Sequence, residues 1–278
     1  MYNAPRTKTF IIATLILCAA GLMASCGKSP ATTDNAATEL LSQAEISCDN
    51  GQPEQALLLI DSLNKAFPKQ VQILRKAMYL RTQATAQLIV ARTAENDSLK
   101  AQAQAIVNKL SGGFKTIGGK DLVESYRVCK SDGDLSGTDL QARIDESGDV
   151  YLATSHSGAA TGYTRISISN GAESVTSDAA ENYRFADTEM VTFRGEKCDS
   201  LCLFVADNEA KTLKATFLGH SKSSVTMSLK QKQCIARTIR YAHAAKTLKH
   251  CQGVAIYLQK QQEINADQMK RTRITGYR

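Results

Sequence analysis

The sequence has no tryptophan, few aromatic residues of any kind (6%), and no apolar run long enough to cross a membrane as a helix. Its longest apolar run, Phe10 to Met23, has 14 residues, whereas a hydrocarbon core of ~30 Å needs about 20. The lack of Trp weakens the case for a sugar-stacking platform. The motifs GxSxG and HExxH are missing as well, so no catalytic motif identifies an enzyme. A content of 43% hydrophobic and 22% charged residues over 278 positions is ordinary for a globular protein and excludes wholesale disorder.

The N-terminus has the pattern of a secretory signal. Arg6 and Lys8 precede the short apolar run, and the small residues Ala24 and Ser25 stand directly before Cys26. This ending resembles a bacterial lipobox, which implies cleavage before Cys26 and acylation of that residue. Residues 1–25 are therefore predicted to be a lipoprotein signal peptide, and Cys26 is predicted to anchor the chain in a lipid bilayer. The alternative is an ordinary secretory signal that leaves Cys26 a plain thiol.

A flexible tether and a helical module are predicted to follow. Residues 26–37 are small and polar, as in a flexible tether. Apolar residues then recur at helical spacing through residues 38–111, with Pro53 placed at the start of the second helix. We expect helices over 38–48, 53–67 and 70–92, an interruption at 93–97, and a further helix to 110. The helices of 70–110 are the surface on which we expect an envelope protein partner to bind.

The rest of the chain, residues 120–278, is predicted to be a β-rich domain with C-terminal helices. Apolar and β-branched runs separated by turn residues predict five strands: 150–154, 163–168, 190–193, 201–205 and 213–218. Helices are expected over 229–250 and 254–270, with a break at Gly253. The sequence therefore predicts an α+β fold with N-terminal helical hairpins, a central antiparallel sheet or small sandwich, and C-terminal helices.

Charge is distributed unevenly along the chain. Residues 126–214 contain 9 basic and 15 acidic side chains, whereas residues 222–278 contain 12 basic and 2 acidic ones. In an exported protein a basic segment is better suited to lipid headgroups or an acidic glycan than to nucleic acid, so no nucleic-acid partner is expected. The simplest alternative is a solvated helix face.

Six cysteines remain after the signal and the lipidated residue. An oxidising envelope permits disulfides, and six thiols allow 15 pairings. If a turn joins two strands at 199–201, Cys198 and Cys202 face each other and can form a disulfide. Buried free thiols are the alternative.

The Asp132 to Gly137 run resembles the start of a calcium loop, but Arg143 stands where the last acidic ligand is needed, so no metal or cofactor is predicted.

The layout resembles uncharacterised envelope lipoproteins of Bacteroides-like bacteria. The residues that carry the resemblance are the lipobox-like end at Cys26, the tetratricopeptide-like helix pair over 38–68, and the β-rich part that follows. The resemblance implies a lipid-anchored envelope protein and transfers no catalytic residue. Some exported lipoproteins of those bacteria carry an acidic run just after the cysteine, and residues 27–30 lack it, which favours a periplasm-facing location.

The first hypothesis for function is a non-catalytic protein-interaction module, not an enzyme. The second is a glycan or anionic-surface binder, in which Tyr151, Tyr163 and Tyr183 would stack on a ligand from one concave face. The third is a hydrolase, which needs two neighbouring carboxylates or a Cys–His pair in a pocket.

Overall fold

The structure is a computed structural model that describes the backbone of residues 30–118 and 125–276 and the side chains of 34–118 and 125–273. The chain divides into two compact units. Unit 1 combines the residues up to Ala91 with those from Lys260 onward, and unit 2 comprises Arg92–Gln259. These boundaries differ from the predicted division at residue 111, because two long helices each contribute to both units.

Unit 1 is helical. Its helical parts are α1 (Pro30–Asp49), α2 (Pro53–Ala66), the first half of α3 (Val71–Ser111), and the end of the C-terminal helix from Lys260 onward. Gly51, at φ +69°, turns the chain between α1 and α2, and Pro53 starts α2 where its missing N–H costs nothing. The helices pack through a core of small and aliphatic side chains: Ala37, Leu41, Ala44, Cys48, Ala56, Ile60, Leu63, Ala77, Leu80 and Ala84.

Unit 2 contains two antiparallel sheets. The six-stranded sheet has the order β1 (Phe114–Ile117), β2 (Tyr126–Cys129), β3 (Asp139–Ile144), β4 (Val150–Ser157), β8 (Thr188–Phe193) and β7 (Asn182–Phe185). The four-stranded sheet has the order β10 (Lys222–Thr226), β9 (Lys214–Leu218), β5 (Arg165–Ser169) and β6 (Ser174–Thr176). Strands β5, β8 and β9 bury every second residue, as expected for strands with one face on a core.

Two helices complete unit 2: α4 (Glu196–Asp207) and most of α5 (Leu229–Gly276). Side chains from both sheets, α4 and α5 form a single apolar core. Its largest fully buried side chains are Tyr163, Phe193 and Phe217. The expected α+β class is confirmed, with helices at both ends of the chain and an antiparallel sheet in the middle.

Three predictions of local structure are wrong. Residues 201–205 are helical, because Cys198, Leu201, Cys202 and Val205 are buried at i, i+3, i+4 and i+7 in α4. The expected break at 93–97 is absent from α3, where the buried Asn96 donates its side-chain N–H to the Cys251 carbonyl at 3.1 Å. Gly253 does not interrupt α5 either, so one C-terminal helix replaces the expected two.

The predicted tether is also corrected in part. Helix α1 begins at Pro30, so residues 30–37 are helical, and Ala37 is buried in the unit 1 core. Residues 26–29 lie outside the described part of the chain, as do the signal segment and Cys26. Among the described helices, none is both long enough and apolar enough to traverse a bilayer.

Candidate functional site

The clearest exposed apolar feature of unit 2 is the β7–β8 hairpin. Tyr183 and Phe185 alternate along β7 and so point to one face, and Met190 lies directly opposite Tyr183 on β8. These side chains are 65%, 84% and 43% exposed. We call the three residues the apolar tip. Strand β7 is the end strand of its sheet, and no described strand pairs with its outer edge.

The turn of the hairpin holds a residue in an unfavourable backbone conformation. Only Ala186 and Asp187 connect Phe185 to Thr188, and Ala186 has φ +53°. A two-residue hairpin turn needs positive φ at its first position, where glycine is the usual residue because it has no Cβ. Ala186 is the single non-glycine residue with positive φ in the described chain. The strain lies directly beside the most exposed aromatic ring.

Beneath the hairpin, the buried carboxylate of Glu189 binds a neighbouring loop. Its Oε2 accepts hydrogen bonds from the backbone N–H and the hydroxyl of Thr161, both at 2.8 Å. Its Oε1 accepts the N–H of Gly162 at 2.7 Å. Burial raises the pKa of this carboxyl group, but the hydrogen bonds from Thr161 and Gly162 outweigh it, so the pKa is lowered. Glu189 therefore stays ionised and fixes β8 to the loop.

A further side-chain hydrogen bond holds the base of the hairpin in place, and a buried histidine lies beside it. The Asn182 side chain donates to the Tyr163 carbonyl at 2.7 Å, which binds the start of β7 to the segment before β5. The buried His156, opposite Glu189 on β4, places Nδ1 3.7 Å from the carboxylate. The hydrogen bonds of Asn182 and Glu189 therefore give the hairpin a fixed support while its tip remains in solvent.

The three tyrosines predicted to stack on a ligand do not share a face. Tyr163 is fully buried, its ring packs edge-on against Phe217, and burial raises its pKa to about 12. Tyr151 is buried on the six-stranded sheet, with the guanidinium of Arg194 4.3 Å from its ring centre. Only Tyr183 is exposed, so the concave tyrosine surface that the sequence suggested is not formed.

The predicted Cys198–Cys202 disulfide is not formed either. Both residues lie one turn apart on α4, buried and with free thiols. The strand–turn–strand geometry on which the prediction depended does not exist, because the segment is a helix. The other described cysteines, Cys48, Cys129, Cys234 and Cys251, are also buried free thiols.

The helices of 70–110 do not present one continuous apolar stripe. In the unit 1 part of α3, Met78 lies seven residues from Val71 and shares its face, but Val90 is turned by about 120° from Met78. Val90 borders a shallow groove of about 460 Å³, which Gly51 and Pro53 line from the α1–α2 turn. The described residues of unit 1 thus present a small apolar groove and not the long partner surface that the sequence suggested.

A cavity of about 350 Å³ in unit 2 contains two neighbouring carboxylates. Asp145 and Glu146 line it together with Arg127, whose guanidinium donates to the Tyr241 hydroxyl at 3.0 Å. Burial raises the pKa of Asp145, but hydrogen bonds from Ser147 and Asp149 lower it overall, and the Ser125 hydroxyl lowers that of Glu146. Two-carboxylate hydrolysis requires one acid with a raised pKa, which this pair does not supply.

Sequence reasoning identified Tyr183 but missed Phe185 and Met190. Alternating Tyr183 and Phe185 beside the Ala186-Asp187 turn was the available signal, although it does not show which face is covered.

Among the described residues no group of three or more His, Cys, Asp or Glu side chains could hold a metal ion. Comparisons of this chain with protein-family models, with curated proteins and with solved structures found no match.

Proposed function

We propose that this chain is a lipid-anchored bacterial envelope protein that binds another protein through the apolar tip of its β7–β8 hairpin. The observation that carries the proposal is the exposure of Tyr183, Phe185 and Met190 on one face of a hairpin whose base is fixed by buried hydrogen bonds. Exposed apolar groups that cluster in this way mark interaction sites more often than single exposed residues do.

Membrane attachment is the first part of the proposal, and the sequence supports it. The apolar run ends in small residues before Cys26, as in bacterial lipoprotein signals. Several acyl chains on one cysteine give stable anchoring, because each buried CH₂ contributes about 0.8 kcal/mol. The folded units would then face the periplasm.

The composition of the hairpin indicates the chemistry of its partner. The apolar tip has no charged member, while the exposed Glu181 precedes it in the chain and the exposed Asp187 lies in the turn of the hairpin. The Tyr183 hydroxyl donates a hydrogen bond to the Glu181 carboxylate, which keeps that charge beside the ring. The best complement is an apolar protein surface bordered by Lys or Arg.

A protein fits this surface better than a glycan does. A sugar site needs polar side chains around its stacking ring to bind hydroxyl groups, and Met190 and Phe185 offer none. The anionic-surface alternative depends on the basic residues of 222–278, which are not part of the apolar tip.

Site-specific photo-crosslinking in membranes of the source bacterium tests the proposal. A photoreactive phenylalanine derivative replaces Phe185 in one variant, Val90 of the unit 1 groove in a second, and the exposed Tyr257 in a third. We expect a discrete protein adduct from position 185 alone, and its crosslinked peptide should be apolar with flanking Lys or Arg. Adding Met190→Asp should reduce this adduct at least tenfold at unchanged abundance of the chain.

Each other outcome overturns a stated part of the proposal. Adducts from position 90 or 257 but not from 185 would place the binding surface elsewhere. An adduct with polysaccharide or lipid only would replace a protein partner by another class. No adduct from position 185 in intact membranes would overturn the hairpin as a binding surface.

A further inference from the structure

Two buried thiols of unit 2 meet beneath one hydroxyl group. Cys129 ends β2 and Cys234 lies in the second turn of α5, 105 positions later in the chain. The Ser131 hydroxyl oxygen is 3.3 Å from the Cys129 sulfur and 2.9 Å from the Cys234 sulfur. Ser131 is exposed, so both sulfurs lie one side chain below the surface at this point.

The charges around the two sulfurs differ. The guanidinium of Arg237 donates to the Cys129 sulfur at 3.8 Å. The pKa of Cys129 is lowered to about 5. The largest cause is a hydrogen bond from the Cys234 thiol, and burial of Cys129 acts in the opposite direction. The pKa of Cys234 is raised by the Cys129 sulfur, by burial and by the Asp132 carboxylate, to which its thiol is hydrogen-bonded. The Arg237 guanidinium thus favours the thiolate at Cys129, and the Asp132 carboxylate favours the protonated thiol at Cys234.

We propose that Cys129 and Cys234 form a redox-active dithiol, which a disulfide-bearing oxidant converts into a disulfide that links β2 to α5. This site is independent of the apolar tip, which lies on other strands of the same unit. The proposal does not depend on the proposed function, because it concerns chemistry that the purified chain can perform.

The reaction is a two-step thiol–disulfide exchange. The Cys129 thiolate attacks one sulfur of the oxidant, so a mixed disulfide forms and one thiolate leaves. Cys234 then passes its proton to the Asp132 carboxylate and attacks the Cys129 sulfur, which releases the second thiolate. The Cys129 thiolate and the Cys234 thiol together lose two electrons and one proton, which Asp132 accepts. The oxidant is reduced to two thiolates, which take up protons from water.

The arrangement distinguishes this pair from the other close pair of cysteines. Cys198 and Cys202 lie one turn apart on the same helix, and the pKa of Cys202 is raised well above its usual value by its contact with Cys198 and by burial. A disulfide between them would close a loop of one helical turn. A Cys129–Cys234 bond would instead close a loop of about a hundred residues, which constrains the unfolded chain far more.

Peptide mapping of the oxidised chain tests the proposal. The full-length protein is purified from membranes, reduced, freed of reductant and incubated with oxidised glutathione, both in its native state and during refolding from urea. Remaining thiols are then alkylated, and the chain is digested by trypsin without reduction. We expect a linked pair of the peptides Val128–Lys130 and Gln233–Arg237 in most chains under at least one of the two conditions.

Single-cysteine variants provide the controls. Cys129→Ser and Cys234→Ser should each abolish the linked pair, whereas Cys198→Ser should leave its yield unchanged. Alkylation of Cys129 and Cys234 as separate peptides under both conditions would overturn the proposal. A linked product that joins Cys198 to Cys202, with Cys129 and Cys234 alkylated, would overturn it equally.

Discussion

At the scale of single residues, Glu189 connects the interior of unit 2 to the candidate site. Its side chain is buried, yet it carries a charge, because three N–H and O–H groups of Thr161 and Gly162 donate to it. Hydrogen bonds to a charged acceptor are stronger than those between neutral groups. One carboxylate can therefore hold both the loop of 158–162 and the strand that bears Met190.

Replacing this carboxylate by an amide should weaken unit 2. In Glu189→Gln one oxygen becomes an NH₂ group that faces N–H donors, so at least one buried donor loses its acceptor. We expect a loss of about 1–3 kcal/mol in the free energy of unfolding, measured by urea denaturation at pH 7. The exposed Glu173→Gln is the matched control and should change this free energy by less than about 0.5 kcal/mol. An equal effect of both substitutions would contradict the anchoring role.

The same carboxylate predicts a direction of pH dependence. The pKa of Glu189 is lower in the folded chain than in the unfolded one, so its contribution is complete above the unfolded pKa. Stability is then lost as the pH falls through the folded pKa. The difference in unfolding free energy between wild type and Glu189→Gln should therefore shrink between pH 6 and pH 3, which denaturation at a series of pH values measures. A constant difference would show that the charge is not responsible.

The strain at Ala186 predicts a substitution that stabilises the chain, in contrast to Glu189→Gln. A residue with a Cβ at positive φ destabilises the folded chain by roughly 1–2 kcal/mol. Glycine avoids most of this strain, but it loses more conformational entropy on folding, which costs roughly 0.5–1 kcal/mol. Ala186→Gly should therefore stabilise the chain by about 0.5–1 kcal/mol in thermal or urea unfolding. Destabilisation by this substitution would show that the turn does not have the conformation described here.

At the scale of elements, the sequence predicted the helices of unit 1 and several strands well, but it failed where short-range patterns were ambiguous. Apolar residues 201–205 resemble a strand, and only the burial of Cys198 one turn earlier shows the helical period. Asn96 looks like a helix breaker, yet its amide donates to a carbonyl 155 positions away. Contacts so distant in sequence cannot be read from local propensity.

A substitution at Gly253 tests whether α5 is continuous. This glycine lies within the helix, and a Cβ added to it would meet no other atom within 4 Å. Gly253→Ala should therefore stabilise the chain by about 0.5–1 kcal/mol, because alanine is the better helix former. Gly219→Ala is the contrasting variant, since its Cβ would collide with the backbone of Thr161, and it should destabilise. Destabilisation by Gly253→Ala would support the break that the sequence suggested.

At the scale of the whole molecule, the exposed aromatic residues could not be located from the sequence. Tyr151, Tyr163 and Tyr183 occupy similar β-rich surroundings, yet only Tyr183 reaches solvent, because it lies on the end strand of a sheet. The strand order decides which tyrosine is exposed. That order is set by pairings between segments that are distant in the sequence. Pro30–Ala37 likewise becomes helical in unit 1 although its composition is that of a linker.

Lipid attachment is a prediction for the whole chain. Cells fed an alkyne-bearing palmitate analogue should incorporate it into the wild-type protein, and the protein should remain in the membrane fraction after a wash with high salt. Cys26→Ser should lose the label and at least nine-tenths of the membrane-bound protein, because no other anchor is proposed. Unchanged labelling of Cys26→Ser would refute acylation at this residue.

Quantitative co-purification of the protein partner tests the central claim most directly. Wild type, Phe185→Asp and Tyr257→Asp are isolated from detergent-solubilised membranes in equal amounts, and co-purifying proteins are quantified by mass spectrometry. The account predicts a protein that is enriched equally with wild type and Tyr257→Asp and is reduced about tenfold or more with Phe185→Asp, since a buried aromatic anchor contributes 2 kcal/mol or more. Equal recovery of every co-purifying protein with Phe185→Asp would contradict it.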